Sequence, residues 1–343
     1  MLHTTRSVDT DPFQQQQNDE TVAQMNSIID EIRTIYDAGT PLFTKDAIRN
    51  VGKELEICRK DALDGRDVIL RGINGVDYKI FVSLPPVQHP TEKEQHNGGS
   101  TWIISYNSIE SLTERDDRFF SPEIAYLPMT ITTCTWEIDP HPDDGNNLDA
   151  PSTEELHKAF YEIEQKWKMS AYYERLQAAL AAVKTSLVLD KVIGVALGPL
   201  VMETLVNRKS IIQHALISAI SSILLQRGVL SKRYVQDPIY TQQERDVLCS
   251  AGFTVLDDPQ AFLTLDNSSV LVSIAPNIPV KQIVADICRP GIIIWSSKID
   301  ASYLQTDPDS PRVDKMIDED YYELDFPFHE SFGDLVMYIR KDT

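Results

Sequence analysis

Lys191-Val-Ile-Gly-Val-Ala-Leu-Gly-Pro199 is a short apolar run closed by a glycine-proline turn, and four comparable runs follow it: Arg233–Gln236, Thr254–Leu256, Val270–Ile274 and Ile292–Trp295. Val/Ile/Leu runs without polar alternation suit strands covered on both faces, the condition of a parallel sheet. Between them the spacing predicts helices over Ile211–Gln226, Gln242–Ala251 and Val280–Cys288. Crossovers between parallel strands are right-handed almost without exception. The block therefore predicts an α/β fold, a Rossmann-like, doubly wound, mostly parallel sheet with helices on both faces.

Working outward, residues 21–150 predict an N-terminal α+β extension. Val22, Met25, Ile28, Ile29, Ile32, Ile35 and Tyr36 recur at helical spacing up to Gly39, and a second helix is expected over Thr44–Cys58. Asn74-Gly75 lies between two strand-like runs within Asp67–Leu84, and Asn-Gly supplies the positive φ angles of a tight hairpin turn. Trp102–Tyr106 and Thr130–Ile138 are rich in β-branched and aromatic residues and read as strands. Asp139–Asn147 reads as a loop and a boundary. Ser152-Thr-Glu-Glu155 is a capping box that opens a helical region running to about Lys184. The chain thus divides into a polar, disordered segment (1–20), the extension (21–150), the sheet core (151–298) and an acidic tail (299–343). Within the tail, Tyr321–Phe328 and Leu335–Arg340 are expected to add an antiparallel pair at the sheet edge, and Asp314–Asp325 to form a solubilising face.

The chain has 343 residues, and its 52 acidic and 32 basic residues give a formal charge of -20. That field repels phosphate backbones and anionic lipid headgroups, which argues against nucleic acid and membrane surfaces and for protein partners with basic surfaces. Cys58, Cys134, Cys249 and Cys288 are far apart, with no zinc-like spacing, and read as reduced thiols. The amino terminus lacks the apolar stretch of a secretory signal, and the longest apolar run, Ile211–Leu225, is broken by Gln213, His214 and serines. A soluble cytoplasmic or nuclear protein is expected.

Asp237-Pro238, with Thr241, Glu244, Leu248 and Gly252, resembles the Sensitivity to Red Light Reduced (SRR-like) family. The family's glycine turn, Gln-Leu-Ala helix and Tyr-Asp-Pro motif correspond to Ala196-Leu-Gly198, Gln213-His-Ala215 and Gln236-Asp-Pro238 with Tyr240. The resemblance spans roughly Lys191–Ser297, with weaker similarity around Trp167 and at Phe332-Gly-Asp334-Leu. Where the family often has Pro-His-Cys, this chain has Pro276-Asn277-Ile278, and an amide cannot replace a histidine as a base. The resemblance implies a regulatory role, in light and circadian signalling, heme metabolism or cytoskeletal function, and brings no agreed reaction.

Ligands of open α/β sheets bind beyond the carboxyl ends of strands, where strand order reverses. Three segments are expected to meet there and to form a cofactor site: Gly198 for close backbone approach, Asp237 for ribose hydroxyls, and Asn277. Each has a plainer reading as a turn, a helix entry or a strand end. Two functions follow: a regulatory protein acting through partners with a nucleotide-type pocket for an adenine-containing molecule, or an enzyme dependent on S-adenosylmethionine or a nicotinamide nucleotide. No catalytic set is assigned. His214, within an apolar helix, reads as a satisfied core histidine. Ser210-x-x-Gln213 and Thr241-x-x-Glu244 read as capping boxes, and Asp139–Gly145 as a solvated loop rather than a metal site.

Overall fold

The computed structural model describes the chain apart from residues 1–11, 61–64, 84–97, 115–120, 138–149, 184–185, 203, 227–231, 299–305 and 342–343. The loop expected at Asp139–Asn147 lies outside the described residues. Helix α1 (Pro12–Asp37) starts well before residue 21, so residues 12–20 are helical rather than disordered. Helix α2 (Lys45–Lys60) follows, and then strands β1 (Arg66–Arg71) and β2 (Asp77–Val82) pair as the expected hairpin. Its turn differs from expectation. Gly75 alone has a positive φ, +76°, and its N–H donates to Gly72 O. The loop is therefore the three-residue type, a type I turn followed by a left-handed glycine.

Strands β3 (Gly98–Tyr106) and β4 (Met129–Glu137), with helix α3 (Ile109–Thr113) between them, form a second antiparallel pair. The single helical region expected after Ser152 is two helices, α4 (Thr153–Lys168) and α5 (Ala171–Ala182). Ser170 breaks it by capping Tyr173 N–H with its side chain. The core then runs β5 (Lys191–Val195), β6 (Val201–Met202), β7 (Leu205–Val206), α6 (Arg208–Gln226), β8 (Lys232–Gln236), α7 (Gln242–Ser250), β9 (Thr254–Val255), α8 (Gln260–Thr264), β10 (Ser269–Ser273), α9 (Val280–Ile287) and β11 (Ile292–Ser296). It ends in α10 (Pro311–Asp320), β12 (Tyr321–Asp325) and β13 (Leu335–Arg340).

The main sheet has seven strands in the order β12-β13-β11-β10-β5-β8-β9. The five strands from β11 to β9 are parallel, and β13 runs antiparallel to both β11 and β12. The terminal pair joins the edge as expected. The acidic segment before it, however, is a packed helix: Ser310 caps α10, Pro311 sits in its first turn, and Val313 and Met316 are buried. The region is part of the core.

Side-chain alternation along the strands sorts two cores. Val192, Val270, Val272, Ile292 and Ile294 face α4, α5, α6 and α7. Ile193, Val195, Leu271, Ile293 and Trp295 face the other way, sharing one core with Ile32, Phe43, Leu55, Ile104 and Leu127. The N-terminal extension thus shares the core on one sheet face with α8, α9 and α10. Asp258, just after β9, fastens this layer. Its carboxylate accepts bonds from Tyr106 Oη at 2.9 Å, Ile104 N at 3.3 Å and Gln236 Nε2 at 3.1 Å.

Candidate functional site at the carboxyl edge of the sheet

From β5 the chain goes outward through β8 and β9 and then returns to β10, so strand order reverses between β5 and β10. Both strands end in an alanine with left-handed backbone, Ala196 at φ +55° and Ala275 at φ +45°. Alanine rarely occupies that region. Hydrogen bonds hold both turns: Ala196 N–H donates to Gln236 O at 3.0 Å, and Ala275 N–H to Ser296 Oγ at 3.0 Å.

Gly198 and Asp237 are brought into direct contact. Gly198 N–H donates to Asp237 Oδ2 at 2.9 Å, and Ile239 N–H to Oδ1 at 3.3 Å. Gly198 has φ +77°, which a residue with a Cβ rarely adopts. Gly194 has a different reason: a Cβ there would lie 2.6 Å from Leu197 Cδ1 and 3.2 Å from Ile217 Cδ1, so it lets α6 press against β5. Asp237 is buried, and desolvation outweighs the two backbone bonds, pushing its carboxyl up to about 6. Asn277 is exposed on the loop after β10. The contacts around Asp237 close a turn between neighbouring strands, with each oxygen committed to a main-chain N–H.

Beside this turn lies a satisfied polar network. His214 is fully buried, with Nδ1 2.7 Å from Ser210 O and Nε2 2.7 Å from Tyr240 Oη. The carbonyl can only accept, so Nδ1 carries the proton and Nε2 accepts from the tyrosine. Burial lowers the imidazole to about 4 and keeps it neutral, the core histidine expected from its place in the sequence. Glu244 is equally engaged: Oε1 accepts Val201 N–H, and Oε2 closes the capping box with Thr241. Ser210 is not the cap expected of it. Asn207 Oδ1 accepts Ser210 N–H, while Ser210 Oγ donates to Gly198 O at 2.8 Å.

An open groove lies elsewhere. A groove of about 570 Å³ lies between α2 and β1, lined by Asp46, Asn50, Lys53 and Glu54 on one side and Ile69 and Arg71 on the other. Gly72 N–H donates to Val76 O, and the alternation of an antiparallel ladder then makes Leu70:Tyr78 and Val68:Ile80 the bonded pairs. The backbone groups of Ile69 and Arg71 point away from β2, where β1 has no strand partner among the described residues. Sequence reading missed this site, because its two walls come from separate elements. The exposed Ile69, on a strand that otherwise alternates cleanly, was the one local signal.

Among the described residues no cysteine forms a disulfide. Among the described residues no cluster of three or more His, Cys, Asp or Glu could hold a metal ion, and no helix is long and apolar enough to cross a membrane.

Strand order, two covering layers and a turn-filled carboxyl edge define an α/β protein of the Rossmann-like class. Residues 174–339 match the SRR1 domain. The match extends past the expected Lys191–Ser297 to take in β12 and β13, in keeping with their place in the sheet. Among solved structures, the chain is similar to a protein from Listeria monocytogenes described as a class I S-adenosylmethionine-dependent methyltransferase. The identity is 14%, the TM-score 0.32, and coverage 56% of this chain and 69% of that one. It is also similar to the MycE methyltransferase of the mycinamycin biosynthetic pathway, solved with Mg, SAH and mycinamycin VI. There the identity is 9%, the TM-score 0.31, and coverage 94% and 96%. Likeness at this level bears on neither ligand nor reaction. No curated protein matches the chain.

Proposed function

We propose that this chain is a regulatory protein of the SRR-like family that acts by holding protein partners, and that the groove between α2 and β1 receives an extended, basic segment of the partner. The observation that carries this reading is the unpaired edge of β1 beside a helix. An added strand would bond the outward N–H and C=O groups of Ile69 and Arg71, the mode by which sheet edges recognise peptides. Three carboxylates line the groove, each in an ion pair: Glu54 with Arg66 at 3.1 Å, Asp77 with Arg71 at 3.0 Å, and Asp46 with Arg49. The overall charge of -20 steers basic segments toward the surface. The setting in which it acts, whether circadian, heme-related or cytoskeletal, in cytoplasm or nucleus, is suggested by the family alone.

An immobilised peptide library tests this. Basic, extended peptides should be retained in a salt-sensitive manner and lost with Ile69→Pro, which removes an outward N–H without touching the β1–β2 bonds. Retention that ignores peptide charge, or that survives Ile69→Pro in a folded variant, would refute the assignment. The alternative, an enzyme using S-adenosylmethionine or a nicotinamide nucleotide, has in its favour the strand reversal beside Gly198. Against it stands the commitment of both Asp237 oxygens to the turn.

A further inference from the structure

Strand β12 is an outer strand of the seven-stranded sheet, and beyond β13 it has no strand partner among the described residues. The bonding pattern fixes what its free edge presents. Lys341 N–H donates to Asp320 O at 2.8 Å, so Tyr322:Ile339 and Leu324:Met337 are the bonded pairs of the antiparallel ladder, and the main-chain groups of Glu323 and Asp325 point outward. Tyr321 N–H is already taken by Ile317 O at the end of α10. Sheet edges are ordinarily blunted by shortness, proline, lysine or a bulge. The opposite edge is short, since β9 has two residues. Strand β12 has five, Tyr321-Tyr-Glu-Leu-Asp325, in unbroken register with β13, and the last four are exposed.

The two faces of this edge differ. Tyr322 and Leu324 lie opposite Ile339 and Met337, on the face of the core under α4 to α7, yet they are 61% and 40% exposed. Phe326 is buried in that core, and Phe328 is again exposed. The buried apolar surface of β13 therefore runs out into an uncovered apolar rim on β12. Glu323 lies on the other face, opposite Tyr338, whose hydroxyl donates to its carboxylate, and Asp325 lies opposite Val336. Neither acid has an ion pair among the described residues, whereas Asp320 is held by Arg289 and Asp314 by Lys298. Lys341 Nζ is 5.4 Å from the Tyr322 ring centroid, but it donates to Asp318 O and Glu319 O and so belongs to the end of α10.

We infer that β12 is a second docking edge, which takes an extended segment of a partner protein whose residues alternate between basic and apolar. The main chain of that segment bonds the outward N–H and C=O groups of Glu323 and Asp325. Its basic side chains stand beside those two carboxylates, and its apolar side chains cover Tyr322 and Leu324. Charge decides against a second copy of this chain as the occupant. Antiparallel self-pairing centred on Glu323 sets that residue against itself, and centred on Leu324 sets it against Asp325. Like charges directly opposite one another destabilise a strand pair. The edge goes beyond the α2–β1 groove: it belongs to a different sheet, and it asks for an apolar face as well as for charge.

The test is amide hydrogen exchange of the full chain, followed residue by residue in ¹H–¹⁵N spectra, with the capped peptide Lys-Val-Lys-Val-Lys-Val-Lys as probe. At about ten times its dissociation constant the peptide should slow exchange at Glu323 and Asp325 roughly tenfold, while Tyr322 and Leu324, already bonded to β13, keep their rates. A glutamate–valine peptide, and a lysine–serine peptide that lacks the apolar face, should leave both amides unaffected. Glu323→Pro removes an outward N–H without touching the bonds to β13 and should weaken the lysine–valine peptide roughly tenfold, with slow exchange at Tyr322 and Leu324 reporting an intact ladder. Glu323→Lys with Asp325→Lys keeps the main chain and should reverse the preference toward the glutamate–valine peptide. Ile69→Pro should change none of these responses, so that failure at the groove and failure at β12 are told apart. Unchanged exchange at Glu323 and Asp325, equal binding by Glu323→Pro, an unreversed preference in the double-lysine variant, an equal response to the lysine–serine peptide, or loss of the response with Ile69→Pro would overturn the inference. So would slowing at Glu323 without peptide that grows with protein concentration, the sign of a second copy on the edge.

Discussion

Replacing Asp258 by asparagine should flatten the pH dependence of folding stability. The carboxylate is buried where the N-terminal layer meets the sheet, and desolvation outweighs its bonds from Tyr106 and Ile104, pushing it up to about 6 from an ordinary 3.8. The folded state therefore holds the proton more tightly than the unfolded chain. Between those two values it carries more protons, so Asp258 makes stability fall as pH rises through about 4 to 6. Going from pH 8 to pH 5, the two-state linkage relation gives this one group about 1.4 kcal/mol of added stability. Asp237, also raised to about 6, contributes in the same direction, and its charge is one reason Asp258 is raised. His214 opposes them. Its folded value of about 4 lies below the unfolded one, so its contribution is present above about pH 6.5 and shrinks by about 2 kcal/mol on the same descent. Because the groups partly cancel, the variant's change in slope is the quantity to read. Urea unfolding at pH 8 and pH 5, followed by circular dichroism, should show Asp258→Asn gaining at least 1 kcal/mol less than the wild type on acidification. An unchanged slope, or a steeper one, would refute a buried, proton-loving carboxylate at this joint.

Two further outcomes follow from the packing and the turn. Phe262 is fully buried with its ring 5.5 Å from Tyr106, so Phe262→Ala should cost about 3–5 kcal/mol and lower the melting temperature, and a loss below 1 kcal/mol would mean that the two layers do not share a core. S-adenosylmethionine and NAD should give no measurable thermal shift, since a ligand at about 100 times its dissociation constant adds about 2.7 kcal/mol; a clear shift that disappears in Asp237→Asn would restore Asp237 as a ribose ligand.

Legibility differed between elements for physical reasons. Strands β5, β10 and β11 were readable because both faces are buried, which forces apolar residues onto successive positions; β8 and β9 are only partly buried. Helix α10 was not, since only Val313 and Met316 are buried among its ten residues and four of the others are acidic. Its signal was local and small, Ser310 followed by Pro311, a cap and a first-turn proline. Ser170 carried the same sort of message at the break between α4 and α5. Asp258 had no local signal at all: its partners Gln236, Tyr106 and Ile104 lie 22, 152 and 154 residues away in the chain. A buried carboxylate of that kind looks in sequence like any loop aspartate before a proline.

The carboxyl edge shows why position alone could not settle Asp237. An acid at the end of the second strand of such a sheet can turn its lone pairs outward, toward a ligand's hydroxyls, or inward, toward the main chain. The choice depends on whether neighbouring N–H groups have other acceptors. At Gly198 and Ile239 they do not: the left-handed turn after β5 aims one N–H at the carboxylate, and the start of the next loop aims the other. Turning Asp237 outward would strip both donors of their partner, at a cost of the order of 1–3 kcal/mol each if they stayed dry. A fold-wide rule therefore marks where a ligand could bind, and the bonds that a residue there has already made decide whether it is free to hold one.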